Sequence, residues 1–302
     1  MKDLIIVGGG PAALSAAVYA ARRDLDIALV ADELGGHPKE TDKIENYLGF
    51  KSIKGFELAE KFEEHLKDYN IEIVEDKVKN VYREGDKVIH ELEEGDKMGS
   101  KTSIIASGSK RKKLSVPGEK ELRNKGLTYC AICDGPLFQN QNVAVIGGSN
   151  SGIKAARYLR KKEKKVYILE VLEKLNGESI TIEEIKNKSN IEIITKAKTT
   201  RILGNKSVKG LKYKDLEEGS EKEIGVEGIA IEIGIEPNSQ MVKVEKNERG
   251  QIKVDNEMRT SSNRIFAAGD VTDKGWEQIA VAVGQGCIAA LEADKTISDQ
   301  KV

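Results

Sequence analysis

Two cysteines separated by two residues, Cys130-Ala131-Ile132-Cys133, run directly into Asp134-Gly135. Thiols at this spacing at a helix start can close a small disulfide ring, and the helix N-terminus favours the thiolate. Asp134 is placed to give or take the proton that such an exchange moves. Redox chemistry is therefore expected of Cys130 and Cys133, with Asp134 as the acid–base residue. A tetrahedral zinc site would need a second pair of ligands. His37, His65 and His90 are scattered and do not supply one, so no metal is expected. Three cysteines are an odd count, which argues against a structural disulfide framework. Cys287, within Gly286-Cys287-Ile288-Ala289-Ala290, reads as filling a helix–sheet contact.

Two glycine loops carry a second kind of chemistry. Gly8-Gly9-Gly10-Pro11-Ala12-Ala13 fits G-x-G-x-x-G/A, following a strand and opening a helix. Gly8 permits the tight turn, Gly10 lets the backbone approach a pyrophosphate, and Ala13 keeps the helix close to the sheet. Oriented N–H groups at the helix start favour the phosphates. An acid for ribose hydroxyls is expected about 20 residues further on, and both Asp32 and Glu33 stand there. The second loop, Gly147-Gly148-Ser149-Asn150-Ser151-Gly152, has the same context but a serine at the second required glycine. Glu170 ends the following strand, and the run Glu170-Val171-Leu172-Glu173-Lys174-Leu175 contains no arginine. An acid there suits an NAD ribose and repels a 2′-phosphate. Two readings stay open: a weak NADH site, or a domain that keeps the fold without a nucleotide.

The elements that must position these groups are a repeated pattern. Residues 3–8 read as a buried strand, 11–23 as a helix of small residues and 26–31 as a strand. Residues 142–147, 151–161 and 165–170 repeat that order. The expected fold is α/β, two Rossmann-like three-layer domains with β-meander insertions. The meanders are expected at Ile71–Ile105 and across 191–234, where apolar and charged residues alternate. Val116-Pro117-Gly118-Glu119 is expected at a crossing between domains and Ile235-Glu236-Pro237-Asn238 at the return. The charge run Lys161-Lys162-Glu163-Lys164-Lys165 reads as a solvated helix end.

Composition narrows the function classes. The chain has 302 residues, with 49 Lys+Arg against 50 Asp+Glu and a net charge of −1. That length suggests about two domains, and the charge balance argues against a bulk nucleic-acid binder. No apolar run approaches the ~18–20 residues of a membrane span, and the N-terminus carries no signal-peptide pattern. A cytoplasmic protein is expected, with no membrane and no nucleic acid among its partners.

Taken together, these motifs resemble the low-molecular-weight thioredoxin reductases and the flavoprotein part of alkyl hydroperoxide reductases. The segments that carry the resemblance run along essentially the whole chain: IIVGGGPAALSAAVYAAR (5–22), GGH (35–37), IENYLGF (44–50), IIASGS (104–109), VPGE (116–119), CAICDGPLF (130–138), VAVIGGSNSG (143–152), IFAAGDV (265–271) and QIAVAVGQGCIAAL (278–291). The hydroperoxide-reductase flavoproteins usually carry an extra N-terminal thioredoxin-like part, and this chain starts at the first strand, so thioredoxin reductase is the better fit.

The resemblance implies an FAD domain built from residues 1–112 and 241–302, and a pyridine-nucleotide-type domain, 113–240, that carries the dithiol. It implies FAD contacts at Gly8, Gly10, Pro11, Ala12, Asp32, Glu33, Gly36, His37, Asn46, Val78, Ala106, Gly108, Gly269, Asp270, Gln278 and Ile279. His37 stands where relatives often have Gln. Cys133 would face the flavin and Cys130 would attack the partner disulfide. Thioredoxin as substrate, a homodimer and a rotation of the smaller domain follow from the same resemblance. NADPH-using relatives have a glycine in place of Ser149 and a His-Arg-Arg run where this chain has Glu170-Val171-Leu172; Glu277 stands where a basic residue often precedes the Gln. Without the arginine fork a 2′-phosphate loses its bidentate partner. The chain resembles the branch that takes electrons from reduced ferredoxin. The competing expectation is an NADH- or NADPH-dependent disulfide reductase feeding a thioredoxin- or glutaredoxin-like peroxidase partner.

Overall fold

A computed structural model describes residues 1–299 apart from Asp42 and Lys162. Lys162 of the charge run and the last three residues of the expected FAD domain therefore lie outside the described residues. The chain divides into two compact units, Met1–Lys110 with Glu236–Val302, and Arg111–Ile235.

In the first unit, β1 (Lys2–Val7), α1 (Pro11–Ala21) and β2 (Ile27–Val30) form the opening parallel pair and its crossover helix. All of β2 and the last four residues of β1 are buried, as strands covered on both faces must be. After α2 (Gly55–Leu66), β3 (Glu72–Val74) joins β2 in parallel. β4 (Val78–Glu84), β5 (Lys87–Leu92) and β6 (Lys97–Ile105) then run antiparallel. β6 serves twice: its first part pairs with β5, and its second runs parallel to β1, from Thr102 opposite Leu4 to Ile105 opposite Val7. The meander expected over Ile71–Ile105 is thus smaller. Ile71 leads into an edge strand of the parallel sheet, and an edge strand is half-solvated, which gives it the same alternation as a meander.

β7 (Ser109–Arg111) leads into the second unit. There follow β8 (Leu127–Thr128), α3 (Ala131–Asp134), β9 (Asn142–Ile146), α4 (Asn150–Leu159), β10 (Lys165–Leu169), α5 (Ser179–Lys186) and β11 (Ile191–Ile194). β12 (Ala197–Gly204), β13 (Val208–Asp215) and β14 (Glu221–Ile224) make a separate antiparallel sheet. β15 (Gly228–Ile231) returns to the parallel sheet, whose order is β11-β10-β9-β15-β8. The second meander is therefore confined to β12–β14; the flanking β11 and β15 belong to the Rossmann-like sheet. Val116–Glu119 lies inside this unit rather than at a crossing. The buried Glu119 carboxylate there accepts the N–H groups of Leu114, Ser115 and Val116 at 3.0, 2.6 and 3.4 Å.

β16 (Ile235–Pro237) leads back to the first unit, where β17 (Ile265–Ala267) pairs in parallel with β6 and α6 (Ile279–Ser298) packs on α1. The two helices approach closely because both present small residues. Ala12, Ala13, Ala16, Ala17 and Ala20 are buried on α1, and Ala282, Ala289, Ala290 and Ala293 on α6. A Cβ on Gly286 would lie 2.1 Å from the carbonyl oxygen of Ala12, so only glycine fits. Ser15 Oγ donates to the carbonyl of Val283 at 2.8 Å, satisfying a hydroxyl in that seam. Cys287 also sits on α6, half-buried beside Tyr19 of α1, whose phenol it pushes up in pKa. It belongs to a helix–helix contact, where a helix–sheet contact was expected. Among the described residues no helix is long and apolar enough to cross a membrane.

His90 is fully buried on β5, with Nε2 2.8 Å from Ser103 Oγ of β6. Burial pushes its pKa from 6.5 down to about 4, against a smaller opposing effect of the Met98 backbone. The folded state thus holds His90 neutral, while the unfolded chain protonates it near 6.5. Its contribution to stability is complete above pH 6.5 and lost as pH falls toward 4, by roughly 3 kcal/mol. Urea unfolding at several pH values should show this slope, and His90→Gln should flatten it relative to the parent. Equal slopes in both proteins would mean that His90 is not held neutral.

Candidate active site

The first glycine loop is shaped by backbone crowding on one side and open space on the other. Gly8 has φ 122°, and a Cβ there would lie 2.3 Å from the carbonyl oxygen of Ala106. Gly10 is the N-cap of α1 and has nothing within 4 Å of where its Cβ would stand. Pro11 begins the helix, no side chain caps it, and its first turn has no acid. The first-turn N–H groups therefore lack intrahelical acceptors and face an uncrowded surface, which suits an anion.

The residues expected around FAD converge on this loop. Gly36 (φ 61°) lies against Gly10 and Pro11, and Gly269 (φ 78°) against Ala12. Gly269 N–H donates to Gln285 Oε1 of α6 at 2.7 Å, which anchors the Gly269–Val271 turn. His37 Nδ1 stands 3.8 Å from Asp270 Oδ2. Asn46 Nδ2 donates to Gln278 Oε1 at 3.1 Å, and Ile279 packs on the buried cluster of Ile44, Ile53 and Leu58. Gly108 (φ 68°) has open space beside it and accepts the Asn238 N–H at 3.0 Å. Asp32 and Glu33 are both exposed after β2. Asp32 pairs with Lys77 at 3.4 Å and Glu33 with Lys39 at 3.7 Å. Val78 follows Lys77 and is buried at the start of β4.

The second unit holds the dithiol. Cys130 and Cys133 are joined by a disulfide, with Cys130 as N-cap of the short helix α3. Cys130 Sγ accepts the Cys133 N–H at 3.3 Å, and the Cys130 carbonyl accepts the Asp134 N–H at 3.1 Å. Gly135 ends α3 because the Tyr158 ring lies where a Cβ would be, 2.6 Å away. Thr128 is a contributor that sequence reasoning missed. Its hydroxyl donates to Asp134 Oδ2 and accepts the Cys130 N–H at 2.9 Å, so one group joins the acid to the thiol's backbone. Tyr129 is also held. Its hydroxyl donates to Glu119 Oε1 at 2.7 Å, its carbonyl accepts from Arg111, and Arg123 stands over its ring at 5.6 Å. The VPGE segment was the only signal in the sequence for this clamp, and it indicated a turn rather than a partner for Tyr129. Glu232, from β15's end, accepts the Ala131 N–H at 3.3 Å. Among the described residues no group of three or more His, Cys, Asp or Glu could hold a metal ion.

The second glycine loop is engaged by the chain itself. Glu170 is buried, with Oε2 accepting the Gly148 N–H at 2.5 Å and Oε1 the Leu172 N–H at 2.9 Å. Leu175 lies against Gly148, and the Asn176 N–H donates to the Gly148 carbonyl at 2.9 Å. Ser149 is the N-cap of α4 in extended conformation and forms a bridge with Asn176.

A dithiol and two glycine loops in one chain form a combination known from redox flavoproteins, and the sequence profile of the pyridine nucleotide-disulphide oxidoreductases matches residues 2–286. The chain belongs to that family. An alkyl hydroperoxide reductase flavoprotein of Staphylococcus aureus is 41% identical over 294 residues, 96% of this chain; the chain spans 58% of that protein's length. The thioredoxin reductase of Streptococcus pyogenes is similar in structure, with a TM-score of 0.92 and 34% identity over 99% of both chains. A ferredoxin-flavin thioredoxin reductase of Clostridium acetobutylicum has a TM-score of 0.55 and 35% identity, covering 99% of this chain and 98% of that one. Relatives of this oxidoreductase family bind FAD, and the open, uncapped start of α1 fits the pyrophosphate of such a cofactor. Gly10→Val should leave the apoprotein's melting unchanged, since its backbone is extended and its surroundings are open. The purified protein should bind FAD about tenfold more weakly, read as flavin absorbance against added FAD. Undiminished flavin binding would place the cofactor elsewhere.

Proposed function

We propose that this oxidoreductase is a thioredoxin-disulfide reductase that passes electrons from reduced ferredoxin, through FAD and the Cys130/Cys133 dithiol, to thioredoxin. The observation that carries the reading is the disulfide itself, held at the start of α3 with Asp134 tied to it through Thr128. In this reading residues 1–112 and 241–302 form the FAD domain and 113–240 the dithiol domain. The protein works in the cytoplasm as a homodimer.

FAD, when bound, supplies the electron pair that opens the disulfide. Cys133 is the thiol on the flavin side, and Cys130 is the exchanging one. The Cys130 thiolate attacks one sulfur of the thioredoxin disulfide, forming a mixed disulfide and releasing one thioredoxin thiolate. The Cys133 thiolate then attacks Cys130 Sγ, restoring the intramolecular disulfide and releasing the second thiolate. Asp134, oriented by the Thr128 hydroxyl, moves the proton between the dithiol and solvent.

The donor follows from the second glycine loop. A pyrophosphate there would have to displace Glu170 from the Gly148 N–H and Leu175 from the face of Gly148. Val171 and Leu172, half-exposed, offer a 2′-phosphate no charge. The similarity to a ferredoxin-flavin enzyme supports the same donor. One observation favours a second reading: Glu170 ends β10 where an NAD ribose acid would stand, and a curated relative belongs to an alkyl hydroperoxide reductase. An NADH-dependent reductase feeding a peroxidase partner would fit both.

Anaerobic titration of the FAD-loaded protein separates the two. NADPH and NADH should leave the flavin absorbance unchanged, and reduced ferredoxin should bleach it. Prompt bleaching by NADH overturns the ferredoxin reading. Cys130→Ser should abolish thioredoxin reduction while flavin reduction persists; retained turnover would sink the dithiol assignment.

A further inference from the structure

Cys130 is flanked by two peptide N–H groups, and each is held by a side chain from a different strand. Its own N–H goes to Thr128 Oγ1 of β8 at 2.9 Å, and the following one, of Ala131, goes to Glu232 Oε1 at 3.3 Å. Glu232 reaches this point because its backbone continues β15, its N–H donating to the Ile146 carbonyl at 2.8 Å. Its carbonyl also lies 2.3 Å from where a Cβ on Gly147 would stand, so the glycine loop fixes its place.

We infer that Glu232 is a positioning residue for the interchange thiol: it pins the Cys130–Ala131 peptide and, as a carboxylate beside Cys130, raises the pH at which that thiol ionises. The inference rests on the proposed function only in taking Cys130 as the thiol that exchanges. The physical reason is that the disulfide is neutral at Cys130 and the thiolate is not. A fixed negative charge nearby disfavours a second anion and leaves the oxidised form untouched. The other charged groups around Cys130 are already spoken for. Asp134 takes the Thr128 hydroxyl, Glu119 takes Tyr129 Oη and three backbone N–H groups, and Arg111 and Arg123 hold the carbonyl and ring of Tyr129. Glu232 is the carboxylate hydrogen-bonded to the peptide that follows Cys130, so its charge should be felt there first.

The test is the pH dependence of iodoacetamide alkylation in full-length protein reduced with excess phosphine. Cys133→Ser serves as background, and modification of Cys130 is read by peptide mass, which separates it from Cys287. Glu232→Gln keeps a hydrogen-bond acceptor and removes the charge. The alkylation midpoint at Cys130 should fall by about one pH unit, and alkylation at neutral pH should quicken several-fold. Glu232→Leu removes both charge and acceptor. Its midpoint should fall as well, and its Cys130 should in addition react unevenly as the peptide loosens. An unchanged midpoint in either folded variant overturns the inference, and so does a raised one. Because no thioredoxin or electron donor is used, failure here is distinct from failure of the proposed reductase activity.

Discussion

The close contact between α1 and α6 is the constraint on which the first unit depends. The two helices come from opposite ends of the chain, and they can lie together only where side chains are nearly absent. Gly286 against the Ala12 carbonyl marks the tightest point. Because that contact falls on the second residue of α1, it fixes the start of the helix rather than its middle. Gln285, one residue before Gly286, holds the Gly269 N–H. The same seam therefore brings the Gly269–Asp270 turn to the mouth of the glycine loop. A bulkier pair of helices would keep the sheet but separate the two halves of the cofactor cradle.

The two glycine loops have the same local backbone and opposite surroundings. In the first, α1 begins with no capping side chain and no acid, and Gly10 faces open space. In the second, a carboxylate from the end of β10 takes a loop N–H, and an apolar side chain leans on the glycine beside it. A fold motif built to receive an anion has there been given one of its own. The motif alone describes the strand, turn and helix; the residues some 20 positions later decide what the turn is free to do.

Much of this was readable in the sequence. β1, β2, β9 and β10 are strands covered on both faces, so they appear as unbroken apolar runs and their limits were placed within about two residues of the observed ones. β3 and β11 were misassigned for a physical reason. Both sit at an edge of a parallel sheet, where solvent reaches one side, so Ile71-Glu72-Ile73-Val74 and Ile191-Glu192-Ile193-Ile194 alternate like meander strands. The glycines, cysteines and Asp134 were visible because their types are unusual where they stand. Thr128 and Glu232 were not. Each is an ordinary residue at a strand end, brought beside Cys130 by a parallel sheet whose neighbours are far apart in sequence.

The nesting of one unit inside the other also orders events during synthesis. The second unit is a single continuous stretch, Arg111–Ile235, and all its strands have left the ribosome before α6 is made. Its dithiol can thus be assembled, and even oxidised, on a nascent chain. The first unit has its opening strands in hand from the start, yet it lacks β17 and the helix that closes on α1 until the last residues emerge. The cradle at Gly10 is the earliest motif to be translated and the last to be completed. A chain released short of α6 would carry a finished thiol pair attached to an unfinished cofactor domain.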